Sequence, residues 1–180
     1  MRMTWQHVAG AALGLALVIV TSACGSSSED APAPDPTSRE NATAAKGAEA
    51  VQKRKCVDCH TANMSGAAKA LVQAGANDPR VELYPPNLTP DPETGIGPAL
   101  EKPDPTSKGY TDDLLARAIR SGQDNDDLEL CPQMKHFAEM TDFEVYSIVK
   151  YLRSLPPVKN KVLRSVCPPL KTKEEQTAGK

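Results

Sequence analysis

The stretch Cys56-Val57-Asp58-Cys59-His60 places two thiols three residues apart and an imidazole directly after the second thiol. Several kinds of site use these groups. A structural zinc site needs four ligands, usually with a second Cys or His pair at a similar spacing. A thioredoxin-like redox pair needs a βαβ context, and no strand pattern surrounds this stretch. A structural Cys56–Cys59 disulfide is a third alternative, but it would leave the Pro-rich segment that follows unexplained.

The rest of the chain favours a different site for these residues. After His60 the further Cys and His residues are Cys131, His136 and Cys167, and their spacing does not repeat the first pair. The order Cys-x-x-Cys-His is typical of c-type haem attachment. Each thiol can form a thioether with one of the two vinyl groups along one haem edge, and His60 then offers an imidazole nitrogen to the iron. We therefore predict one covalent haem c held by Cys56, Cys59 and His60.

Composition limits both the partners and the core. The 180 residues include 21 basic and 23 acidic side chains, so a nucleic-acid partner is not expected, because phosphates call for a positive excess. Aromatic residues make up only 4% of the chain, and many of its 16 prolines lie between Pro79 and Pro105. Such a sequence would struggle to fill a large core with its own side chains. A bulky apolar cofactor would help to fill it.

The first residues are typical of an export signal. Arg2 precedes an apolar run over residues 8–20, which is shorter than the ~20 residues that a permanent membrane helix needs. The run ends at Thr21-Ser22-Ala23-Cys24, which resembles a bacterial lipobox with Thr21 in place of the usual leucine. We expect a lipoprotein signal peptide over residues 1–23, a lipid on Cys24 and a flexible tether over residues 24–41. Ordinary cleavage nearby, with Cys24 left as a spare thiol, is the alternative. The expected location is the periplasmic side of a bacterial membrane.

The remaining sequence predicts helices joined by a long irregular segment. Composition and 3.6-residue periodicity predict helices over residues 41–55, 67–75, 111–120 and 142–155. Thr111 and Gly122 are candidate caps of the third helix, and Thr141 with Glu144 forms a capping-box pattern at the start of the last. Prolines exclude long regular structure between residues 77 and 108. No alternation typical of strands occurs, so we predict an all-α domain over residues 42–158.

The iron of such a haem needs a second axial ligand, and electron carriers use methionine for it. Downstream of the export signal the chain offers Met64, Met134 and Met140. Met64 has too little chain after His60 to reach the opposite haem face, and Met140 is placed to act as a hydrophobic staple before the last helix. Met134, in an irregular segment, is therefore our candidate. His136 is the rival ligand, and an open iron site is the remaining alternative.

Further stretches extend the pattern beyond the attachment motif. PNLTPD occupies residues 86–91, TGIG residues 94–97, and MTD residues 140–142 leads to IVKYLRSLPPV at residues 148–158. With CVDCH, these stretches resemble the monohaem class I cytochromes c, close to the cytochrome subunits that serve periplasmic dehydrogenases. The resemblance covers about residues 42–158 and implies a cytochrome c fold, whose first and last helices cross with a small residue against an aromatic. Gly47 and Tyr151 match those places. Two features depart from the pattern: Lys135 rather than proline follows Met134, and residues 98–108 intervene before Tyr110.

The cysteine count predicts one disulfide. With Cys24 assigned to lipid and the haem pair accounted for, Cys131 and Cys167 remain, and two leftover thiols in an exported protein usually pair. Such a bridge would pin the C-terminal tail, residues 159–180, beside the loop that holds Met134. We hypothesise that it keeps Met134 near the iron. Two free thiols are the alternative.

Two charged runs carry weaker hypotheses. Lys53, Arg54 and Lys55 flank the haem motif and could steer an acidic redox partner, although a solvated helix face is the favoured interpretation. The acidic residues between positions 124 and 129 lack the Gly and terminal Glu of a calcium loop. We treat them as solvated.

These features predict a single-electron carrier rather than an enzyme, since no acid/base or nucleophile constellation accompanies the haem site. The carrier would meet redox partner proteins through small transient contacts. Two other classes of function stay open: a peroxidase-type haem enzyme with a displaceable sixth ligand, and a haem subunit of a larger dehydrogenase or oxidase complex. A low-spin spectrum with the methionine-to-ferric-iron band would separate the carrier from the enzyme.

Overall fold

The computed structural model describes residues 35–69, 81–102 and 109–167. The predicted signal peptide, Cys24, most of the predicted tether and residues 168–180 lie outside these ranges. A short 3-10 turn (Arg39–Asn41) is followed by α1 (Ala44–Lys53), α2 (Val57–His60), α3 (Asp112–Ser121) and α4 (Asp142–Ser154). The described ranges contain isolated β-bridges and no strand, which confirms the predicted all-α class. Within the same ranges, no helix combines the length and the apolar character needed to cross a membrane.

Three of the four predicted helices are present: the first and last are shorter than predicted, and the one at Asp112–Ser121 has the predicted length, shifted by one residue. The helix predicted over residues 67–75 is absent from residues 67–69, and its remainder lies outside the described ranges. Side-chain caps start the three long helices: the threonine hydroxyl before each one accepts a backbone N–H three residues on, at Thr43, Thr111 and Thr141. Gly122 ends α3 with φ 67°, a left-handed conformation that costs glycine little because it has no Cβ.

Helices α1 and α4 cross at Gly47. A Cβ added to this glycine would lie 1.9 Å from the Ser147 carbonyl oxygen and 2.6 Å from the Tyr151 Cβ. The two backbones therefore approach more closely than any side chain would allow. This confirms the predicted crossing of the first and last helices, with the small residue against the aromatic.

The hydrophobic core lies around α4, which packs on both α1 and α3. Apolar side chains at a helical repeat on α4 supply its centre, and loop residues complete it: Ala50, Val51, Met64, Ile96, Leu115, Ala116, Phe137, Met140, Val145, Ile148, Val149 and Leu152. Each large side chain buried here contributes roughly 1.5–3 kcal/mol. The core thus holds the loops that follow the Cys56–His60 stretch against one central helix.

Arg153 of α4 ties down both ends of the segment between residues 97 and 110. Its guanidinium donates to the Gly97 carbonyl oxygen at 2.7 Å and to the Tyr110 carbonyl oxygen at 2.6 Å, and it pairs with Asp112 at 3.1 Å. Beyond α4, residues 156–167 continue without helix along the surface of the domain. The stretch expected to form the start of a C-terminal tail is thereby part of the folded unit.

Candidate functional site

The attachment stretch occupies the single helical turn α2, directly after α1. The chain changes direction at Lys55, which adopts φ 60°, and the Cys56 amide donates to the Val51 carbonyl oxygen at 2.9 Å. Inside the turn, the His60 amide donates to the Cys56 carbonyl oxygen at 3.0 Å. Residues three apart in a helix share a face. The turn therefore groups Cys56 and Cys59 with the imidazole that follows.

Both thiols of the stretch are free, so the alternative Cys56–Cys59 disulfide does not form. Cys56 is half-buried against the core and Cys59 is exposed. Burial raises the pKa of the Cys56 thiol, which keeps it protonated near neutral pH. No group of three or more His, Cys, Asp or Glu side chains within the described ranges could hold a metal ion, so the zinc alternative finds no ligand set there. Two free thiols three residues apart instead fit two thioether bonds to the vinyl groups along one haem edge.

His60 is the buried titratable group of this turn, with 6% of its surface exposed. Its Nδ1 lies 3.0 Å from the Pro86 carbonyl oxygen. A carbonyl oxygen can only accept, so Nδ1 carries the proton and Nε2 keeps its lone pair. Burial lowers the pKa of His60, which favours the neutral ring. A neutral imidazole with one nitrogen donating to a carbonyl is the form in which histidine binds a metal through the other nitrogen.

The loop that supplies this carbonyl packs closely on the turn after α2. Gly66 has φ 83°, and a Cβ there would lie 2.6 Å from the Pro85 carbonyl oxygen. The Gly66 amide donates to the His60 carbonyl oxygen at 3.1 Å, and the Ala67 amide donates to the Pro85 carbonyl oxygen at 3.1 Å. These two hydrogen bonds hold the Pro85–Pro86 backbone close to the imidazole ring of His60. Cys56, Cys59 and His60 together fit a haem c held by two thioethers and one imidazole.

The three candidate methionines differ in burial. Met64 and Met140 are 1% and 4% exposed, and both belong to the hydrophobic core. Met134 is partly buried and lies outside that core, in a turn where its amide donates to the Cys131 carbonyl oxygen at 2.8 Å. Among these three methionines, Met134 is the one whose side chain does not belong to the hydrophobic core.

The segment around Met134 is anchored on α3 at both ends. The Leu130 amide donates to the Gly122 carbonyl oxygen at 2.7 Å, and the Phe137 amide donates to the Ile119 carbonyl oxygen at 3.2 Å. The rival ligand, His136, is exposed but rests its ring on Gly122, where a Cβ would come within 2.0 Å of its Nε2. The histidine thus packs against the end of α3 rather than projecting freely into solvent.

The expected disulfide between Cys131 and Cys167 is present, with 5.6 Å between the two Cα atoms. Cys167 is buried, and Cys131 precedes Met134 by three residues. The bridge therefore joins residues beyond α4 to the loop that carries the candidate ligand.

The basic run beside the motif is not uniformly solvated, contrary to the favoured interpretation. Arg54 is 20% exposed and donates to both carboxylate oxygens of Glu144, at 2.8 and 2.7 Å, and to Glu139 at 2.7 Å. These contacts hold the pKa of Glu144 below its ordinary value. The expected capping box is therefore only half formed: the Thr141 hydroxyl accepts the Glu144 amide, but the Glu144 carboxylate binds Arg54 instead of the Thr141 amide. Lys53 and Lys55 remain exposed.

In the acidic run, Asp126, Asp127 and Glu129 are exposed, as predicted for solvated side chains, and Asp124 is partly buried. The Asp124 carboxylate accepts the amides of Asp126 and Leu128 at 2.9 and 2.8 Å, and Arg117 donates to Asp127 at 2.6 Å. Backbone amides of the loop thus bind the Asp124 carboxylate, and a guanidinium from α3 binds that of Asp127.

Two contributors to the site escaped the sequence analysis. The Pro86 carbonyl lies within a stretch quoted for the family resemblance, yet a backbone acceptor leaves no trace in side-chain chemistry. Arg54 was visible as a charge, but its carboxylate partners lie 85 and 90 residues away, beyond any local pattern. In the structure, Arg54 differs from Lys53 and Lys55 in that its side chain is largely buried, and nothing in the local sequence indicates that difference.

Comparison with known proteins gives two matches. The family model for cytochrome c matches residues 44–156. A nicotinate dehydrogenase subunit from Pseudomonas putida is 28% identical over 159 residues, which cover 86% of this chain but 12% of that relative. The chain is therefore similar to a small part of a much longer protein.

Proposed function

The chain belongs to the cytochrome c family, and from that premise we propose that it carries single electrons on one covalent haem c with His60 and Met134 as axial ligands. The observation that carries the proposal is the hydrogen bond between His60 Nδ1 and the Pro86 carbonyl oxygen, at 3.0 Å. When bound, the haem supplies an iron that alternates between the ferric and ferrous states. We propose transfer to partner proteins rather than catalysis on a substrate.

Each residue of the site has a separate task in this proposal. Cys56 and Cys59 form the thioethers that keep the cofactor attached. The Pro86 carbonyl accepts the Nδ1 proton, which orients the ring of His60 and makes its other nitrogen a stronger electron donor. Met134 supplies a soft thioether sulfur, a ligand that favours the reduced state and so raises the reduction potential. Keeping both ligands in both oxidation states limits the rearrangement that accompanies each transfer.

The test compares Met134→Ala with His136→Ala in the purified haem-containing protein. We expect Met134→Ala to abolish the methionine-to-ferric-iron charge-transfer band, to lower the reduction potential and to let cyanide bind readily. His136→Ala should keep the band and the low-spin spectrum. A band that survives Met134→Ala and disappears in His136→Ala would assign the sixth position to histidine instead. A high-spin wild type that turns over peroxide would favour the enzymatic alternative.

A finer candidate is that this carrier serves as the haem-bearing partner of a dehydrogenase. Its support is the similarity to part of a dehydrogenase subunit. An affinity-tagged chain purified from its native membranes should then bring down a dehydrogenase that reduces its haem when substrate is added. If the chain is instead recovered without a dehydrogenase, and its haem is reduced at a rate proportional to its concentration, it is a carrier that diffuses between partners and not a subunit of a stable complex.

We further propose that the chain is exported and anchored by lipid on Cys24 at the periplasmic face of a bacterial membrane. The residues concerned are those of the lipobox-like stretch before Cys24. Cys24→Ser should release the haem-containing protein from the membrane fraction into the soluble periplasmic fraction. An unchanged membrane fraction would contradict the lipid anchor.

A further inference from the structure

Residues 158–167, here called the strap, connect the surroundings of the two proposed axial ligands. The strap follows α4 and lies beyond the matched family region, which ends at residue 156. It passes along the loop that carries Pro86 and ends at the disulfide beside the Met134 turn. Its contacts divide into two groups, one for each side.

The Pro86 loop needs external support because it is poor in backbone donors. Prolines at positions 85, 86, 90 and 92 carry no amide hydrogen and cannot take part in a regular hydrogen-bond ladder. Partners elsewhere in the chain must therefore decide where the Pro86 carbonyl lies. The strap supplies such partners on both sides of Pro86.

On the C-terminal side of Pro86, residue 158 bonds the loop through its own backbone. The Asn87 side-chain amide donates to the Val158 carbonyl oxygen at 2.7 Å, and the Val158 amide donates to the Thr89 hydroxyl at 3.1 Å. On the N-terminal side, the Tyr84 amide donates to the Ser165 hydroxyl at 2.8 Å. Pro86 is thus held between two points of attachment to the strap.

Asn160 extends this support to the turn directly after His60. Its side-chain amide donates to the carbonyl oxygens of Ser65 and Gly66 at 2.8 and 3.3 Å. Its backbone amide donates to the Thr94 hydroxyl at 3.0 Å. Gly66 in turn donates to the His60 carbonyl oxygen and touches the Pro85 backbone. The Asn160 side chain therefore links the strap to the turn at Ser65 and Gly66, which in turn contacts both His60 and the Pro86 loop.

The far end of the strap leads to the other ligand. Val166 and Glu82 exchange two backbone hydrogen bonds at 2.8 Å, and the next residue, Cys167, is bonded to Cys131. The Met134 amide donates to the Cys131 carbonyl oxygen. The same ten-residue segment thus contacts the support of His60 and, through one covalent bond, the turn of Met134.

We infer that the strap positions both axial ligands, with Asn160 as the positioning residue for His60 and the Cys131–Cys167 bridge as the positioning link for Met134. The inference rests on the proposed ligation by His60 and Met134. It predicts that the two ends can be disturbed separately, because Asn160 and the disulfide act on opposite sides of the site.

The test uses the full haem-containing protein with Asn160→Ala and Asn160→Asp at one end and a Cys131→Ser/Cys167→Ser double variant at the other. In both Asn160 variants, solvent exchange of the His60 Nδ1 proton in the ferrous state should become ~tenfold faster, as expected for loss of about one net hydrogen bond. The reduction potential should rise, because a weaker bond to Pro86 makes His60 a poorer electron donor. The double variant should lose intensity in the methionine band and bind cyanide faster, with His60 exchange unchanged.

Lys161→Ala is the matched control, since Lys161 is an exposed neighbour in the strap. It should leave the exchange rate, the potential and the band as in wild type. Asn160 variants that melt earlier but keep the wild-type exchange rate and potential would reduce Asn160 to a structural residue and overturn its positioning role. A double variant with an unchanged band and cyanide rate would overturn the role of the bridge. A wild type that lacks the methionine band would overturn the proposed ligation instead, and exchange at His60 would still test Asn160.

Discussion

At His60 the chain buries a titratable ring and gives it a carbonyl partner 26 residues away, at Pro86. Burial lowers the pKa of the ring and so keeps it neutral, while the carbonyl holds the proton on Nδ1. These two conditions are what an iron ligand requires. The motif predicted the ligand, but the carbonyl that orients it belongs to a loop whose position no local pattern determines.

Asp91 plays a comparable part within the loop itself. Its carboxylate accepts the Thr94 hydroxyl and amide, both at 2.7 Å, and the Glu93 amide at 3.2 Å. These bonds, foremost that of the Thr94 hydroxyl, hold the pKa of Asp91 below its ordinary value. The charged carboxylate is therefore a structural element of the loop that follows Pro86.

We expect the stability contributed by Asp91 to depend on pH. Because the folded-state pKa is the lower one, the unfolded chain takes up the proton first as the pH falls. The contribution is thus complete above about pH 4, the ordinary value for Asp, and is lost as the pH falls through the folded-state pKa. Asp91→Asn should be less stable than wild type at pH 7, and the gap should narrow in acid.

Urea unfolding at several pH values measures this difference. Glu101→Gln, at an exposed carboxylate, should give a curve parallel to wild type. An Asp91→Asn variant whose gap to wild type stays constant from pH 7 to pH 3 would show that the Asp91 charge does not stabilise the fold.

At the scale of helices, the crossing of α1 and α4 predicts how a substitution at Gly47 changes stability. Inside a helix, Gly→Ala ordinarily stabilises by ~1 kcal/mol. At Gly47 the sign should reverse, because the new Cβ would meet the Ser147 carbonyl oxygen and force the backbones apart. We expect Gly47→Ala to destabilise the domain by about 1–3 kcal/mol or more in chemical unfolding.

Ala45→Gly provides the control for this substitution, since Ala45 lies on the exposed side of the same helix. It should cost ~1 kcal/mol from helix propensity alone. If Gly47→Ala left the domain as stable as wild type, the close backbone contact would be wrong.

The Arg54–Glu144 pair links the end of α1 to the start of α4, and its loss should be costly. Arg54→Met would leave the Glu144 carboxylate, which is only 21% exposed, without its guanidinium partner. We expect a loss of roughly 2–3 kcal/mol, below the 3–5 kcal/mol typical of fully buried pairs because water still reaches this one. Thermal or urea unfolding at neutral pH would measure it.

The exposed pair Lys46–Glu49 in the same helix is a suitable comparison. Lys46→Met should change stability by at most ~1 kcal/mol, since exposed pairs contribute little. Equal effects of the two substitutions would mean that Arg54 acts as an ordinary surface charge, as the sequence had suggested.

Across the domain, the disulfide closes a chain segment of sequence separation 36 and joins the strap to the Met134 turn. A bridge of this span should stabilise the folded state by about 2–4 kcal/mol, chiefly by restricting the unfolded chain. Unfolding of the oxidised protein and of protein with both cysteines reduced and alkylated would measure the difference. Equal unfolding midpoints would remove this stabilising role.

Local chemistry was sufficient to predict much of this protein. The threonine caps and the spacing of apolar residues on α4 each express a requirement met within one or two turns. The attachment motif likewise carries its chemistry in five consecutive residues. The pairing of Cys131 with Cys167 followed from counting, because the other cysteines had assigned tasks.

Tertiary structure decided the features that depend on residues far apart in the chain. Glu144 satisfied the capping pattern in sequence, but a guanidinium 90 residues away bound its carboxylate more strongly than the local amide could. The Pro86 loop has few backbone donors near Pro86, and residues of the strap, 69 to 81 positions away in sequence, supply several of its hydrogen-bond partners. Helices and the attachment motif are thus encoded by neighbours in sequence, whereas the hydrogen bonds around Pro86 and the contact between Cys131 and Cys167 join residues that only the folded chain brings together.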